Sequence, residues 1–354
     1  MMTIRVVVVD DSALVRSVLT DLINRSGDMQ VVGTAGDPFE ARERIRELDP
    51  DVVTLDVEMP RMDGLEFLER LMRLRPTPVV MVSTLTQRGA DVTLRALELG
   101  AVDFVPKPSF NLKAGLDDMA RDIVGKLRVA ARARVGRHLH APPPAAPAGV
   151  RKPAPGSRVS TDKLVAIGAS TGGTEAIREI LTALPTTMPG IVITQHMPPG
   201  FTASFAARLD SLSRLHVKEA VDGEPVLQGH AYIAPGGRHL SVARHAGGGW
   251  VTRVADGEPV NRHKPSVDVL FRSVAQHAGA KAVGIMLTGM GADGATAMRV
   301  LRDAGAWNLV QDEASCVVFG MPREAINAGA ANEVLPLKEI AARLASRVGV
   351  TLAG

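Results

Sequence analysis

Apolar and polar positions divide the chain into two runs of alternating strand and helix patterns, separated by a stretch with neither. Ile4–Val9 is apolar but for Arg5 and rich in β-branched residues, the pattern of a parallel strand covered on both faces, and it stops at Asp10-Asp11. Leu14, Val15, Val18, Leu19, Leu22 and Ile23 then recur at helical spacing. Met29–Thr34 reads as a second strand, Pro38–Leu48 as a helix and Asp51–Leu55 as a third strand ending at Asp56. Pro78–Val82 ends in Ser83, Ala101–Val105 ends in Pro106-Lys107, and an arginine-rich helix over 120–135 closes the run. Parallel strands deliver their carboxyl ends to one edge, so Asp10, Asp11, Asp56, Ser83 and Lys107 are expected together there.

The second run opens with Leu164–Ile167, broken by Gly168 and leading through Ala169-Ser170-Thr171-Gly172-Gly173 into a helical pattern at Thr174–Leu184. Gly190–Gln195 is the next strand and ends at His196. From His216 to Val260 the chain is richer in Gly, with short alternating stretches at Ala231–Ala234, His239–Ala243 and Trp250–Val254, expected as small antiparallel strands. Ser266–Ala278 is patterned as a helix, Lys281–Leu287 as a buried strand running into Thr288-Gly289-Met290-Gly291-Ala292-Asp293-Gly294, and Ala295–Ala304 as a helix. Asn308–Gln311 and Pro322–Ala328 are read as a final strand and helix.

Between the runs, 138–157 holds six prolines and almost no large apolar residue, so it builds no core and reads as a semi-extended tether reaching on the order of 60 Å. The organisation expected is α/β in two domains: 1–135 with a flavodoxin-like sheet, a linker over 136–160, and 161–354 with a doubly wound, mainly parallel sheet and a small antiparallel extension. Composition narrows the functions open to such a chain. Lys and Arg total 41 against 38 Asp and Glu, a net charge of +3, which gives no basic face for nucleic acid. The single cysteine, Cys316, excludes a disulfide framework. The N-terminal apolar run is shorter than a signal core and no stretch approaches a membrane span, so a cytoplasmic protein is expected.

Three carboxylates at one edge repel unless a cation sits among them. A small hard ion such as Mg²⁺, with positions left for phosphate oxygens, suits Asp10, Asp11 and Asp56. With the Ser83 hydroxyl and the Lys107 ammonium, that ion could clamp three phosphoryl oxygens. In the second half, Ser170 sits in a Gly-x-Ser-x-Gly turn between strand and helix, facing backbone N–H groups that favour an oxyanion. A serine attacking a carbonyl needs a base and a group to hold that base. Ser170, His196 and Asp293 all lie at or just past strand ends. A competing role for Asp293 is as a cap on the helix that follows it. The rival order, serine then acid then histidine, would use Asp222 or Asp256 with His263 or His277 and fits the strand ends less well. The histidines show no metal-binding spacing, and no cofactor is expected for this site.

Residues 1–134 resemble a response-regulator receiver domain through Asp10-Asp11, Asp56 in LDVEMPRMDG, Ser83 in VVMVST, and Phe104 and Lys107 in AVDFVPKP. The resemblance implies that Asp56 accepts a phosphoryl group from a histidine kinase, that Asp10 and Asp11 hold Mg²⁺, and that Ser83, Phe104 and Lys107 take part in the switch. The second half is similar to the catalytic domain of the chemotaxis protein-glutamate methylesterases through IGASTGG, ITQHMPPGFT and MLTGMGADG. It departs at Ala292, where that family often has Asn beside the acid, which bears on a neighbouring hydrogen bond. The resemblance implies hydrolysis of glutamyl methyl esters and deamidation of glutamines on the cytoplasmic helices of methyl-accepting chemotaxis receptors. Ser170 would be the nucleophile, His196 the base, Asp293 its orienting acid, and amides near Thr171 and Met290 the oxyanion donors. An unphosphorylated receiver docked over the Ser170 cleft is the expected inhibited state. The competing expectation is a phosphorylation-controlled binding module without catalysis, which would tolerate loss of Ser170.

Overall fold

The structure, a computed structural model, describes residues 3–59, 63–84, 86–107, 116–133, 135 and 162–352. Backbone contacts divide the chain into a unit over Met1–Ala141 and a unit over Pro142–Gly354. The expected linker over 136–160 lies outside the described residues.

The first unit runs β1 (Ile4–Val9), α1 (Ala13–Asn24), β2 (Met29–Ala35), α2 (Pro38–Leu48), β3 (Val52–Asp56), α3 (Gly64–Leu74), β4 (Val79–Ser83), α4 (Gln87–Glu98), β5 (Asp103–Pro106) and α5 (Leu116–Ala130). Its sheet has the order β2-β1-β3-β4-β5 with every pair parallel. That order changes direction between β1 and β3, and ligands of such sheets bind at the strand ends flanking the change. Side chains cap the heads of the first four helices: Ser12 accepts from Val15 N at α1, Asp37 from Phe39 N and Glu40 N at α2, Asp63 from Leu65 N at α3 and Thr86 from Gly89 N at α4. Because Ser12 caps α1, neither Asp10 nor Asp11 is used up as its cap. Helix α5 begins at Leu116, four residues earlier than the sequence pattern suggests, and closes at Ala130.

The second unit runs β6 (Leu164–Ala169), α6 (Gly173–Ala183), β7 (Gly190–Gln195), α7 (Phe201–Leu212), β8 (His216–Glu219), β9 (Pro225–Val226), β10 (His230–Ile233), β11 (His239–Arg244), β12 (Trp250–Ala255), α8 (Val267–His277), β13 (Ala282–Met286), α9 (Ala295–Asp303), β14 (Trp307–Gln311), α10 (Met321–Asn327), β15 (Glu333–Leu335) and α11 (Leu337–Val348). Seven strands form one parallel sheet in the order β15-β14-β13-β6-β7-β10-β8, and β11-β12-β9 form a small antiparallel sheet. The sequence pattern placed Ala231–Ala234 among the antiparallel strands. The structure corrects this: β10 lies parallel between β7 and β8, with Ala231, Tyr232 and Ile233 buried. A four-residue strand buried on both faces carries too little alternation to reveal its direction. The chain winds one way from β6 to β7 and returns on the other side of β6 as β13, so the change of direction falls at the ends of β6 and β13.

Helix α8 packs over that point. Its first residue, Val267, lies so close to Gly168 that a Cβ on Gly168 would collide with the Val267 side chain, and Gly294, at φ +84°, makes room for Val267 from the other side. Val267, Leu270, Phe271 and Val274 then bury against Met286, Met298, Leu240 and Val254, fixing α8 between the parallel and antiparallel sheets.

Candidate functional site

In the first unit, the carboxylate oxygens of Asp10, Asp11 and Asp56 lie within 4.8 Å of one another. Asp10 and Asp56 are buried and Asp11 is exposed. Lys107 Nζ donates to Asp56 Oδ2 at 2.8 Å and pairs with Asp10 Oδ2 at 3.2 Å without hydrogen-bond geometry to the latter. Burial pushes the Asp56 carboxyl up to about 6; the Lys107 hydrogen bond opposes the rise and the Asp10 charge adds to it. Burial likewise raises Asp10. Burial works against the Lys107 ammonium, but its bonds to the two acids outweigh this and hold its pKa above the ordinary value. The three hard oxygens, with Asp10 Oδ2 buried and unsatisfied, fit a small divalent cation such as Mg²⁺.

The other two expected residues of this pocket are placed differently. Ser83 is buried at the same sheet edge, but its hydroxyl donates to Gly89 O at 3.3 Å, at the head of α4. Phe104 is buried, with Lys126 Nζ 5.3 Å from its ring centre and donating to its carbonyl at 2.7 Å.

In the second unit, β6 and β7 pair in parallel with Ala169 opposite Gln195, so Ser170 and His196 are the next residues along the two neighbouring strands. His196 N donates to Ala169 O at 3.1 Å, and Ser170 N donates to Thr288 O at 3.0 Å on the other flank. The Gln195 amide ties the pair together, donating to Ser170 O at 2.9 Å and His196 O at 3.2 Å. Gly172, at φ +76°, turns the chain into α6, which has no side-chain cap and whose first amide, Gly173 N, donates to Ser170 O at 2.7 Å.

His196 Nε2 donates to Asp293 Oδ2 at 2.8 Å. That bond fixes the tautomer in which Nδ1 carries the lone pair, and Nδ1 is buried with no hydrogen-bond partner. Asp293 itself is 2% exposed. Burial raises its carboxyl, but His196, then Asn261 and Ser266, outweigh burial and hold it well below the usual carboxylate range. Thr171 is buried beside Ser170, with its carbonyl accepting from Thr288 Oγ1 at 3.0 Å, and Met290 lies exposed on the loop after β13.

The model of the CheB methylesterase family matches residues 165–344, and that of the response regulator receiver domain matches residues 6–116. The protein-glutamate methylesterase/protein-glutamine glutaminase 1 of Albidiferax ferrireducens is 64% identical over 351 residues, covering 98% of this chain and 94% of that relative. The chain belongs to the CheB methylesterase family. The protein-glutamate methylesterase/protein-glutamine glutaminase of Salmonella typhimurium is 58% identical over 348 residues, 98% of each chain. Among solved structures, the CheB methylesterase catalytic domain of Thermotoga maritima superposes with a TM-score of 0.52 at 41% identity, covering 53% of this chain and all of that one. The chain thus combines an esterase of this family with a receiver domain. No helix among the described residues is long and apolar enough to cross a membrane.

Within this CheB-family site, several residues escaped the sequence reading. Asp293 Oδ1 accepts from Ser266 Oγ at 2.7 Å and Asn261 Nδ2 at 2.8 Å, and Oδ2 accepts from Val267 N at 2.6 Å. The acid therefore lies at the head of α8. It does not cap the helix after it, since α9 starts from Gly294 with no side-chain cap. His263 stacks on His196 with ring centres 3.7 Å apart and planes 8° from parallel. The rival acids are engaged elsewhere: Asp256 pairs with Lys264 at 2.8 Å, and Asp222 accepts from Val254 N at 3.0 Å. Pairing of a Pro-containing loop with a strand-end acid some thirty positions away has no periodic signal. Ser266 is a capping residue directly before the apolar pattern of α8, which marks the helix start but not its contact with Asp293.

Proposed function

We propose that the chain is a phosphorylation-regulated hydrolase that demethylates glutamyl methyl esters, releasing methanol, and deamidates glutamines, on the cytoplasmic helices of methyl-accepting chemotaxis receptors. The observation that carries the reading is the imidazole of His196, hydrogen-bonded to a buried acid at one nitrogen while the other is buried and bare, in the residue that directly follows Gln195, itself paired across the sheet with Ala169 just before Ser170. Ser170 Oγ attacks the glutamyl carbonyl as His196 Nδ1 takes its proton; Asp293 keeps the ring in that tautomer and stabilises the imidazolium. Amides near Thr171 and Met290 receive the oxyanion. The imidazolium then protonates the leaving methoxide or amine, and water, activated by the same ring, releases the acid from Ser170. Methyl ester and primary amide differ only in the group expelled, so one site serves both.

The receiver supplies the control. Asp56 accepts a phosphoryl group from a chemotaxis histidine kinase, with Asp10, Asp11 and Asp56 holding Mg²⁺, which when bound offsets phosphate charge. Lys107 pairs with a phosphoryl oxygen, and Ser83 and Phe104 relay the change. Residues 136–160 act as tether between a receiver over 1–135 and a catalytic part over 161–354, and the unphosphorylated receiver inhibits. The chain works in the cytoplasm, without nucleic acid and without inserting into the membrane. Methanol release from methylated receptor membranes tests the reading: the parent releases methanol faster with a phosphodonor, and Ser170→Ala releases none. Release by Ser170→Ala at the parent rate would leave a regulated protein with a different nucleophile.

A further inference from the structure

The loop before α8 contains a two-residue turn whose sequence is unusual for its shape. Val260 and His263 exchange both backbone hydrogen bonds, at 3.1 and 2.9 Å, around Asn261 at φ +52° and Arg262 at φ +70°. Two left-handed residues in such a turn favour Asn-Gly, since glycine accepts the second position without strain. Here the second position is an arginine, a residue that this backbone region disfavours.

The turn's other residues are accounted for. Asn261 donates to Asp293, and His263 stacks on His196, so the turn grips the acid and the base from both sides. Arg262, between them, is exposed and makes no hydrogen bond or ion pair among the described residues. The nearby cation Lys264 is already committed to Asp256 and to Gly257 O. Asp293 is buried and fully hydrogen-bonded, so it offers Arg262 no partner. The strained turn thus sets an unpaired arginine directly between the residue that touches the acid and the residue that touches the base. Its planar fork suits carboxylates. The reaction makes carboxylates: every turnover leaves one on the substrate protein, so a partly processed substrate presents them beside its remaining esters.

We propose that Arg262 is a specificity-determining residue of the esterase site, its guanidinium taking a carboxylate of the protein substrate close to the glutamyl ester being cleaved. The inference rests on the esterase reading above and names a recognition residue within it. The test uses the full-length protein with a phosphodonor and two helical peptides, each carrying one γ-methyl glutamate, flanked three and four residues away by glutamates in one and glutamines in the other. The parent cleaves the acidic peptide with the higher kcat/KM. In Arg262→Gly, which relieves the backbone and keeps the fold, the acidic-to-neutral ratio of kcat/KM falls roughly tenfold, mainly through KM. Arg262→Lys recovers part of the preference. An unchanged ratio in Arg262→Gly, or a parent with no preference, overturns the role of Arg262 while leaving the esterase reading intact. A parent that cleaves neither peptide defeats the esterase reading, and this inference with it.

Discussion

The ring of His196 is held by one hydrogen bond and one stacked ring, and its backbone by bonds to Ala169 O and the Gln195 amide. The stack on His263 stops the imidazole from turning about its Cβ–Cγ bond, which its single bond to Asp293 leaves possible. His263→Ala is expected to lower kcat about two- to tenfold, the range of an aromatic pair, with little change in KM, and His263→Phe to restore most of it. Recovery by Ala as complete as by Phe would show that the ring contributes nothing. Ser170, His196 and Asp293 could be read from the sequence because each ends or closely follows an apolar run, and strand ends share an edge. Asn261, His263 and Ser266 could not, because their partners are set by where α8 begins. Asp293 was visible as an acid before a helix, but local pattern assigns it to α9, and only the fold assigns it to α8.

At the level of elements, α8 depends on one missing methyl group. Gly168→Ala would drive Val267, and with it the head of the helix, away from β6; we expect a loss of about 1–3 kcal/mol in chemical denaturation together with a fall in esterase rate. A smaller effect is expected in the first unit, where Arg128 on α5 forks onto Asp28 before β2 at 2.6 and 2.9 Å. That hydrogen bonding lowers Asp28 to about 2. A depressed carboxylate adds stability that is complete above its ordinary pKa near 4 and is lost as pH falls toward 2. Both side chains are more than a third exposed, so screening keeps the contribution below about 1 kcal/mol. Asp28→Asn should therefore lower the receiver's melting temperature slightly at pH 7, by less near pH 3, and not at all once the pH is well below 2. Most of the parallel strands were legible because continuous apolar runs mark burial on two faces; β8 and β15 were not, and β15 and α11 follow the strand and helix that the pattern gives as the last. The direction of β10 was not, since so short a strand shows no alternation, and nor was the start of α5.

For the whole molecule, regulation requires the receiver to bias an equilibrium, and moving it from 1:99 to 99:1 takes about 5.5 kcal/mol. Asp56→Asn should abolish activation by a phosphodonor while leaving the unstimulated rate within about twofold of the parent. Removal of residues 1–157 should raise that unstimulated rate; a fall would argue that the receiver activates and does not restrain. The placement of Asp293 carries a consequence for the living cell. Its carboxylate is the anion on which the head of α8, the Ser266 hydroxyl and the Asn261 amide converge, so Asp293→Ala strands several buried donors and destabilises the catalytic half. Quality-control proteases will clear such a variant, and an immunoblot should find it scarce, whereas Ser170→Ala accumulates to normal levels. A loss-of-function screen will then score the two lesions alike although one gives an inert enzyme and the other a short-lived one.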